Sequence, residues 1–431
     1  MPFEQFTPAL RRKIAVVGGG ISGMAAAYHL AEQADVTLFE AENRLGGHAR
    51  TVMAGKNGDQ PVDTGFIVFN YPNYPGLTGL FDELGVPVTQ SNMSFAASID
   101  GGRIEYGLRD LRALLAQPHN VLRADFRRMV RDLMRFNAQA AALADDDAIS
   151  LGAFLDQMQV GPWFRDYYLA PISGAIWSTP KEEILAFPAQ ALIRFFRNHH
   201  LMQIYGQHQW WTVQGGSIEY VRRLQAALVD RGVTLCLGTP VDAVARVGGV
   251  VLRAGGDNMV FDEVVFATHA DDSLRMLADP SEAEKKALGA VKYQPNDAVL
   301  HADSSVMPKR RITWSSWNYV EHIGHKGGPI DLTYWMNSLQ PIPQSDPHFV
   351  TLNSRVQIDE RLVYDRVTFR HPVYDLAALR AQSEIADMNG TNATWFCGAW
   401  MKNGFHEDGY ASAMDVVVGI EAQSLARAAA A

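Results

Sequence analysis

Apolar residues come first as a short continuous run, Ile14-Ala15-Val16-Val17, which breaks at Gly18-Gly19-Gly20. A short apolar run feeding a glycine turn predicts a strand. A helical pattern from Ser22 to Ala31 follows, and a second run ends at Leu38-Phe39-Glu40, so residues 13–90 open as strand, helix, strand. Between about 91 and 210 the rhythm changes to long amphipathic helical stretches rich in Arg, Phe, Tyr and Trp. After Gly215-Gly216-Ser217 a helix is predicted with Ile218, Val221, Leu224 and Leu228 on one face. It leads to strand-like runs at 233–237, 250–252 and 264–268. Residues 291–390 alternate, as in Ile312-Thr313-Trp314 and 332–336, which predicts an antiparallel sheet with one buried face. A final strand is expected at 393–398, and a last helix opening at Asp408-Gly409-Tyr410-Ala411 and running through Val418. The fold class read from this pattern is α/β, with a discontinuous layout. Residues 1–90, 211–290 and 391–431 form one domain, interleaved with 91–210 and 291–390.

The first turn carries chemistry. Gly18, Gly20 and Gly23 form G-x-G-x-x-G between a strand and a helix. In that setting the first glycine makes the tight turn, the second lets backbone approach a pyrophosphate, and the third lets helix pack on strand. The helix aims its unpaired N–H groups and positive dipole end at the phosphates. Glu40 ends the second strand, where a carboxylate accepts hydrogen bonds from ribose hydroxyls. Arg44-Leu45-Gly46-Gly47-His48-Ala49-Arg50-Thr51 follows, and the composite points to a permanently held FAD rather than NAD.

Bulk properties narrow the class. A chain of 431 residues predicts two domains, and 47% hydrophobic content with 20% charge excludes wholesale disorder. A net charge of −9 argues against nucleic acid as a partner. The two cysteines, Cys236 and Cys397, stand far apart in apolar runs and read as buried thiols in a reducing compartment, with no metal site expected. The start, Met1-Pro2-Phe3-Glu4, has no signal-peptide pattern, and no apolar run is long enough to span a bilayer. A cytoplasmic protein is expected.

Together, G-x-G-x-x-G, Glu40, Arg44-x-Gly46-Gly47 and the late Gly398 to Asp408-Gly409 segment resemble the flavin amine oxidase and protoporphyrinogen oxidase superfamily. That resemblance implies a doubly wound, Rossmann-like FAD domain interleaved with an α+β substrate domain built on a mixed sheet and helices. It places Gly18, Gly20, Ile21, Ser22 and Gly23 at the pyrophosphate, and Glu40 and Ala41 at the adenosine ribose. Arg44, Gly46, Gly47 and His48 would line the path toward the ribityl chain. Thr64, Gly65, Phe66 and Ile67 would lie beside the isoalloxazine, and the backbone of Val241 at the adenine. Asp408 would lie near the ribityl and phosphate end, and the N–H groups of Tyr410 and Ala411 at the N1/O2 edge. Family members with covalent flavin use a cysteine upstream of the final glycine strand. Cys397 instead falls inside that strand, so non-covalent FAD is expected.

The segments 211–217, 369–374 and 404–409 further resemble a bacterial NAD/FAD-binding subfamily linked to modified, methylated and furan fatty acids. This implies desaturation of a methyl-branched unsaturated acyl chain by hydride transfer to flavin N5. The alternatives are a flavin-dependent fatty-acid double-bond isomerase, an amine or porphyrinogen oxidase, and a non-catalytic lipid-binding flavoprotein. His406 and Glu407 precede the last helix and are candidate proton acceptors, with Tyr205, His208, Trp210, Trp211, His371 and Tyr374 as candidates across the cleft. Arg123, Arg127, Arg131 and Arg135 recur every four residues beside Arg128, a basic stripe on one helix face. With the mixed run 193–202, it suggests peripheral contact with an anionic lipid surface at the inner face of the membrane, each cation adding about 1 kcal/mol. The competing reading is a solvated or salt-bridged helix face.

Overall fold

The computed structural model describes residues 11–144, 149–177, 179–202, 206, 208–322 and 331–430. The chain forms two compact units, one of residues 1–47, 220–291 and 380–431, the other of 48–219 and 292–379. Residues 48–90 and 211–219 thus group with the second unit, and 380–390 with the first. Hydrophobic rhythm cannot reveal that division, because the strands on both sides of these junctions have the same pattern.

The first unit is built on a five-stranded sheet in the order Thr234–Cys236, Ala34–Phe39, Arg12–Val17, Glu263–Phe266, Thr394–Phe396. Every neighbouring pair is parallel. Ile14, Ala15, Val16, Val264 and Val265 are fully buried, which explains why these strands read as unbroken apolar runs. The helix Ile21–Leu30 follows the first strand, and the last helix, His406–Ala430, packs against it. Gly409 permits that crossing: a Cβ there would lie 2.8 Å from Ile21 Cγ2 and 2.9 Å from Ser22 Oγ. A three-stranded antiparallel sheet, Val241–Ala245, Val250–Ala254 and Asp257–Phe261, completes the unit's strands.

The second unit rests on a seven-stranded sheet. Its order is Val363–Val373, Lys292–His301, Phe349–Leu352, Leu332–Trp335, Trp317–Val320, Phe95–Ile99, Ile104–Gly107. All pairs are antiparallel except Trp317–Val320 with Phe95–Ile99, so the sheet is mixed. Helices Ala124–Leu143, Leu151–Gln157, Ala170–Trp177 and Ala189–Asn198 belong to the same unit.

Several local expectations change. Residues 95–107, expected as helix, form a β-hairpin, Phe95–Ile99 paired antiparallel with Ile104–Gly107, held by the sheet rather than by local propensity. Ile312-Thr313-Trp314 is no strand; Arg311–Thr313 is a 3₁₀ turn, with Trp314 Nε1 donating to Pro308 O at 2.8 Å. The last helix begins at His406 rather than Asp408 and runs to Ala430, past the expected end at Val418. Cys236 is half-buried, and Cys397 lies one residue beyond the strand Thr394–Phe396. No helix among the described residues is long and apolar enough to cross a membrane.

Candidate functional site

Gly18 closes the first turn at φ +107°, its N–H donating to Phe39 O at 2.8 Å, which ties the turn to the second strand. Gly23 is forced by packing, since a Cβ there would fall on the carbonyl oxygen of Gly18. Gly20 is different. Its φ is −74°, and a Cβ there would meet nothing within 4 Å. No packing demand inside the protein requires glycine at that point, and open space over a helix N-terminus is what a pyrophosphate needs.

Glu40 is anchored at the rim of this space. Its Oε2 accepts the Gly19 N–H at 2.6 Å and its Oε1 accepts the Glu42 N–H at 2.8 Å. A carboxylate offers about four acceptor positions, so two remain for a diol. Arg44 folds back, Nη2 donating to Gly47 O at 3.0 Å and Nε pairing with Glu42 at 2.8 Å. Gly46 N–H donates to Gly19 O at 2.9 Å, which brings the second glycine pair against the first. Thr239 N–H donates to Glu40 O at 2.9 Å, so Val241, two residues on, starts its strand beside the acid, while Ala41 is exposed. These residues fit an FAD adenosine diphosphate.

Asp408, Tyr410 and Ala411 lie in the same unit. Asp408 Oδ2 accepts the Phe405 N–H at 2.9 Å, and burial pushes its carboxyl up to about 6 against that bond's opposing effect. Tyr410 and Ala411 are the fifth and sixth residues of the helix, past the four whose N–H groups lack an intrahelical acceptor. The helix N-terminus thus lies at His406 rather than at Tyr410 and Ala411, and the Gly409 N–H already donates to Phe405 O at 3.1 Å. The Tyr410 hydroxyl lies 3.1 Å from His29 Nε2. His406 is also engaged: its Nε2 lies 2.5 Å from the hydroxyl of fully buried Tyr220. That contact makes His406 an anchor of the helix start, with Glu407 half-buried beside it.

His48 and Thr64 to Ile67 belong to the other unit. The Thr64 N–H donates to Arg50 O at 2.9 Å and the Phe66 N–H to His48 O at 3.0 Å; a Cβ on Gly65 would fall on that same His48 oxygen. Ile67 O accepts the Thr212 hydroxyl at 2.7 Å. Asp63, one residue earlier, is the hub that sequence reasoning missed. Its carboxylate accepts Thr51 Oγ1 at 2.6 Å, Ser217 N–H at 2.9 Å, Ser217 Oγ at 2.8 Å and Gln340 Nε2 at 2.8 Å. Burial outweighs these bonds and raises its carboxyl to about 6. The segments around Thr64-Gly65 and Gly215-Gly216-Ser217 were visible in the sequence; their contact through Asp63 was not.

His208 stacks on His200 with ring centres 3.8 Å apart and lines a polar cleft with Gln90, Asn92, Trp210, Asn337 and Gln340. Desolvation, then the charge of His200, lowers its pKa. Tyr205 lies outside the described residues. Trp177 meets Phe187 at 5.0 Å and Phe195 at 4.9 Å, and Phe187 meets Tyr374 at 6.5 Å. Phe195 stacks on His199 at 3.9 Å. Near the end of the long strand, His48, Phe369 and His371 form a second ring cluster, with His48–Phe369 at 4.9 Å and His48–His371 at 5.7 Å. Burial lowers His199 to about 4 and His371 to about 3, so both are neutral imidazoles.

The basic stripe is partly consumed by the fold. Asp132, 4% exposed, lies 3.6 Å from Arg128 and 3.3 Å from Arg135 while accepting the Gly161 N–H at 2.7 Å. Arg127 caps the preceding turn at Val121 O and Leu122 O. In the run 193–202, Ile193, Phe195 and Phe196 are buried, so these apolar groups pack inward rather than toward a lipid surface.

Fold and cradle fit an α/β protein that holds FAD. The chain belongs to the family of flavin containing amine oxidoreductases, whose model matches residues 21–318. Hydroxyneurosporene desaturase of Cereibacter sphaeroides is 26% identical over 354 residues, covering 72% of this chain and 63% of the desaturase. Coproporphyrinogen III oxidase of Staphylococcus aureus is 26% identical over 277 residues, 54% of this chain and 55% of the oxidase. The chain thus spans less than two thirds of these relatives' length. Among solved structures, the CLA-producing fatty acid isomerase from P. acnes matches with TM-score 0.66 at 15% identity, over 94% of this chain and 98% of that one. A wild-type putrescine oxidase bound to putrescine matches with TM-score 0.66 at 17% identity, over 96% and 100%.

Proposed function

We propose that this flavoprotein moves a double bond along an unsaturated fatty acyl chain, with FAD held non-covalently. The observation that carries this reading is the cluster of buried aromatic rings in the second unit, Trp177, Phe187, Phe195 and Tyr374, with the imidazole of His199 stacked on Phe195 and kept neutral by burial; His371, in the separate cluster with His48 and Phe369, is likewise neutral. A hydrocarbon buried against rings of this kind would gain about 0.8 kcal/mol for each CH₂ removed from water. The likeness in fold to a fatty acid isomerase, over nearly the whole of both chains, supports the same reading.

FAD held at the Gly18–Gly23 turn and Glu40 would supply reversible two-electron, hydride-transfer chemistry toward an allylic carbon. The protein's own part is to hold that chain dry and oriented. Non-covalent binding is supported by Cys397, which is fully buried with its thiol pushed up to about 12, so it stays protonated and a poor nucleophile.

A second reading, desaturation of a methyl-branched unsaturated chain as in furan fatty-acid formation, is favoured by the likeness to hydroxyneurosporene desaturase. Contact with an anionic membrane is a further part of the proposal. It rests on exposed Arg131 and on Leu122, 80% exposed next to Arg123. Anaerobic mixing of the flavoprotein with linoleate, putrescine or coproporphyrinogen III tests the substrate class. Perturbation or bleaching of the flavin band by linoleate alone is the expected result; a response to either other compound with none to linoleate contradicts it.

A further inference from the structure

Asn353 follows the strand Phe349–Leu352 with φ 51°, a left-handed conformation that asparagine tolerates better than most residues. Two bonds hold it there. Its N–H donates to Asp297 O at 2.8 Å, and its Oδ1 accepts the Asp297 N–H at 3.0 Å. A backbone N–H can only donate, so the side-chain oxygen of Asn353 must face Asp297 and its NH₂ must face away. That NH₂ donates to Oδ1 of Asn296, 1% exposed, at 2.8 Å. The orientation of the Asn296 amide follows: its Nδ2 is directed at Gln294 O, 3.4 Å away, and at His371 Nδ1, 3.3 Å away. Nδ1 of His371 is therefore the acceptor, and a neutral ring carries its proton on Nε2. Nε2 has no hydrogen-bond partner among the described residues, and the residue is half-buried.

We propose that His371 is a fixed-tautomer N–H donor that binds the carbonyl or carboxylate oxygen of the substrate, with Asn296 and Asn353 as the residues that set its proton. Its choice of a carboxylate on an acyl chain rests on the function proposed above. The groups packed around the ring suit this role: His48 and Phe369 face it, and Gln294 pairs with it across the strands. Burial and the neighbouring His48 keep the ring from charging, so it acts as a donor of constant strength. The relay begins at a backbone amide, whose proton does not titrate.

Nitrogen-15 NMR of the histidine-labelled holoprotein tests this, with His371 assigned by loss of its resonance in His371→Gln. The expected result is an Nε2–H tautomer from about pH 5 to 8, with the Nε2 resonance shifted by decanoate and not by decanol. In Asn353→Asp both side-chain oxygens accept, so Asn296 turns, presents Oδ1 to His371 and moves the proton to Nδ1. Decanoate affinity then falls about tenfold, the equivalent of one hydrogen bond. A proton on Nδ1 in the wild type, titration near the ordinary pKa of about 6.5, or an unchanged tautomer in Asn353→Asp overturns the proposal. Should that variant not fold, His371→Gln keeps an N–H donor and should retain affinity for a carboxylate that His371→Leu loses; equal affinities overturn it. Cyclohexanecarboxylate separates the two claims. A shift with this compound but not decanoate keeps the donor and removes the acyl-chain reading, whereas a shift with neither carboxylate overturns the donor itself.

Discussion

Glu40 holds the N–H groups of Gly19 and Glu42 on separate oxygens, so the carboxylate shapes the turn before any ribose reaches it. Glu40→Gln replaces one acceptor with a donor facing a donor. FAD affinity should fall at least about tenfold, read as the flavin-to-protein ratio after gel filtration. Asp63 shows the opposite balance, with burial raising its carboxyl from 3.8 to about 6. Folding therefore favours the protonated form, and this contribution to stability is complete below pH 3.8 and lost as pH rises through about 6. Asp63→Ala leaves the Ser217 N–H and the Gln340 amide without their acceptor and should cost about 3 kcal/mol at neutral pH. Urea unfolding checks this, and the gap from wild type should widen on acidification through that window. Glu40 was legible from its spacing to the glycine turn. The role of Asp63 was not, because its partners Thr51, Ser217 and Gln340 come from three distant parts of the chain.

The strand, glycine turn and helix that form the cradle were legible as elements because their residues obey a local rule at every position. Two glycines in that turn nonetheless serve different ends. Gly20→Ala adds a methyl to open space at an ordinary φ, so stability of the flavin-free protein should change by under about 0.5 kcal/mol while FAD retention drops. Gly23→Ala drives a methyl into the Gly18 carbonyl and should cost at least about 2 kcal/mol by thermal unfolding, with or without flavin. Equal behaviour of the two variants would contradict the assignment of Gly20 to the ligand. The hairpin at 95–107 was hidden because its residues obey the sheet they join, and the last helix starts two residues early, where Asp408 accepts the Phe405 N–H. An ion pair distant in sequence tells the same story. Arg246, 3% exposed at its side chain, grips Asp279 at 3.0 Å and Glu284 on its other edge. Arg246→Met leaves two acids unpaired and should cost about 3–5 kcal/mol.

Across the whole molecule, glycine spacing and late-chain motifs carried the flavoprotein assignment, and family membership over residues 21–318 agrees with it. The chain divides into two discontinuous units whose borders the hydrophobic rhythm does not mark, since the same alternation serves strands of either. The substrate proposal rests on features that composition does not carry, namely which aromatic side chains meet and which histidines burial keeps neutral. The most direct test of the central claim is anaerobic incubation of purified holoprotein with linoleate and no electron acceptor, counting double-bond shifts per flavin by gas chromatography. The account predicts many shifted products per flavin, with the flavin oxidised at the end. One oxidised product per flavin with the flavin left reduced would contradict isomerisation and assign desaturation, and no product with an unchanged flavin would contradict action on an acyl chain.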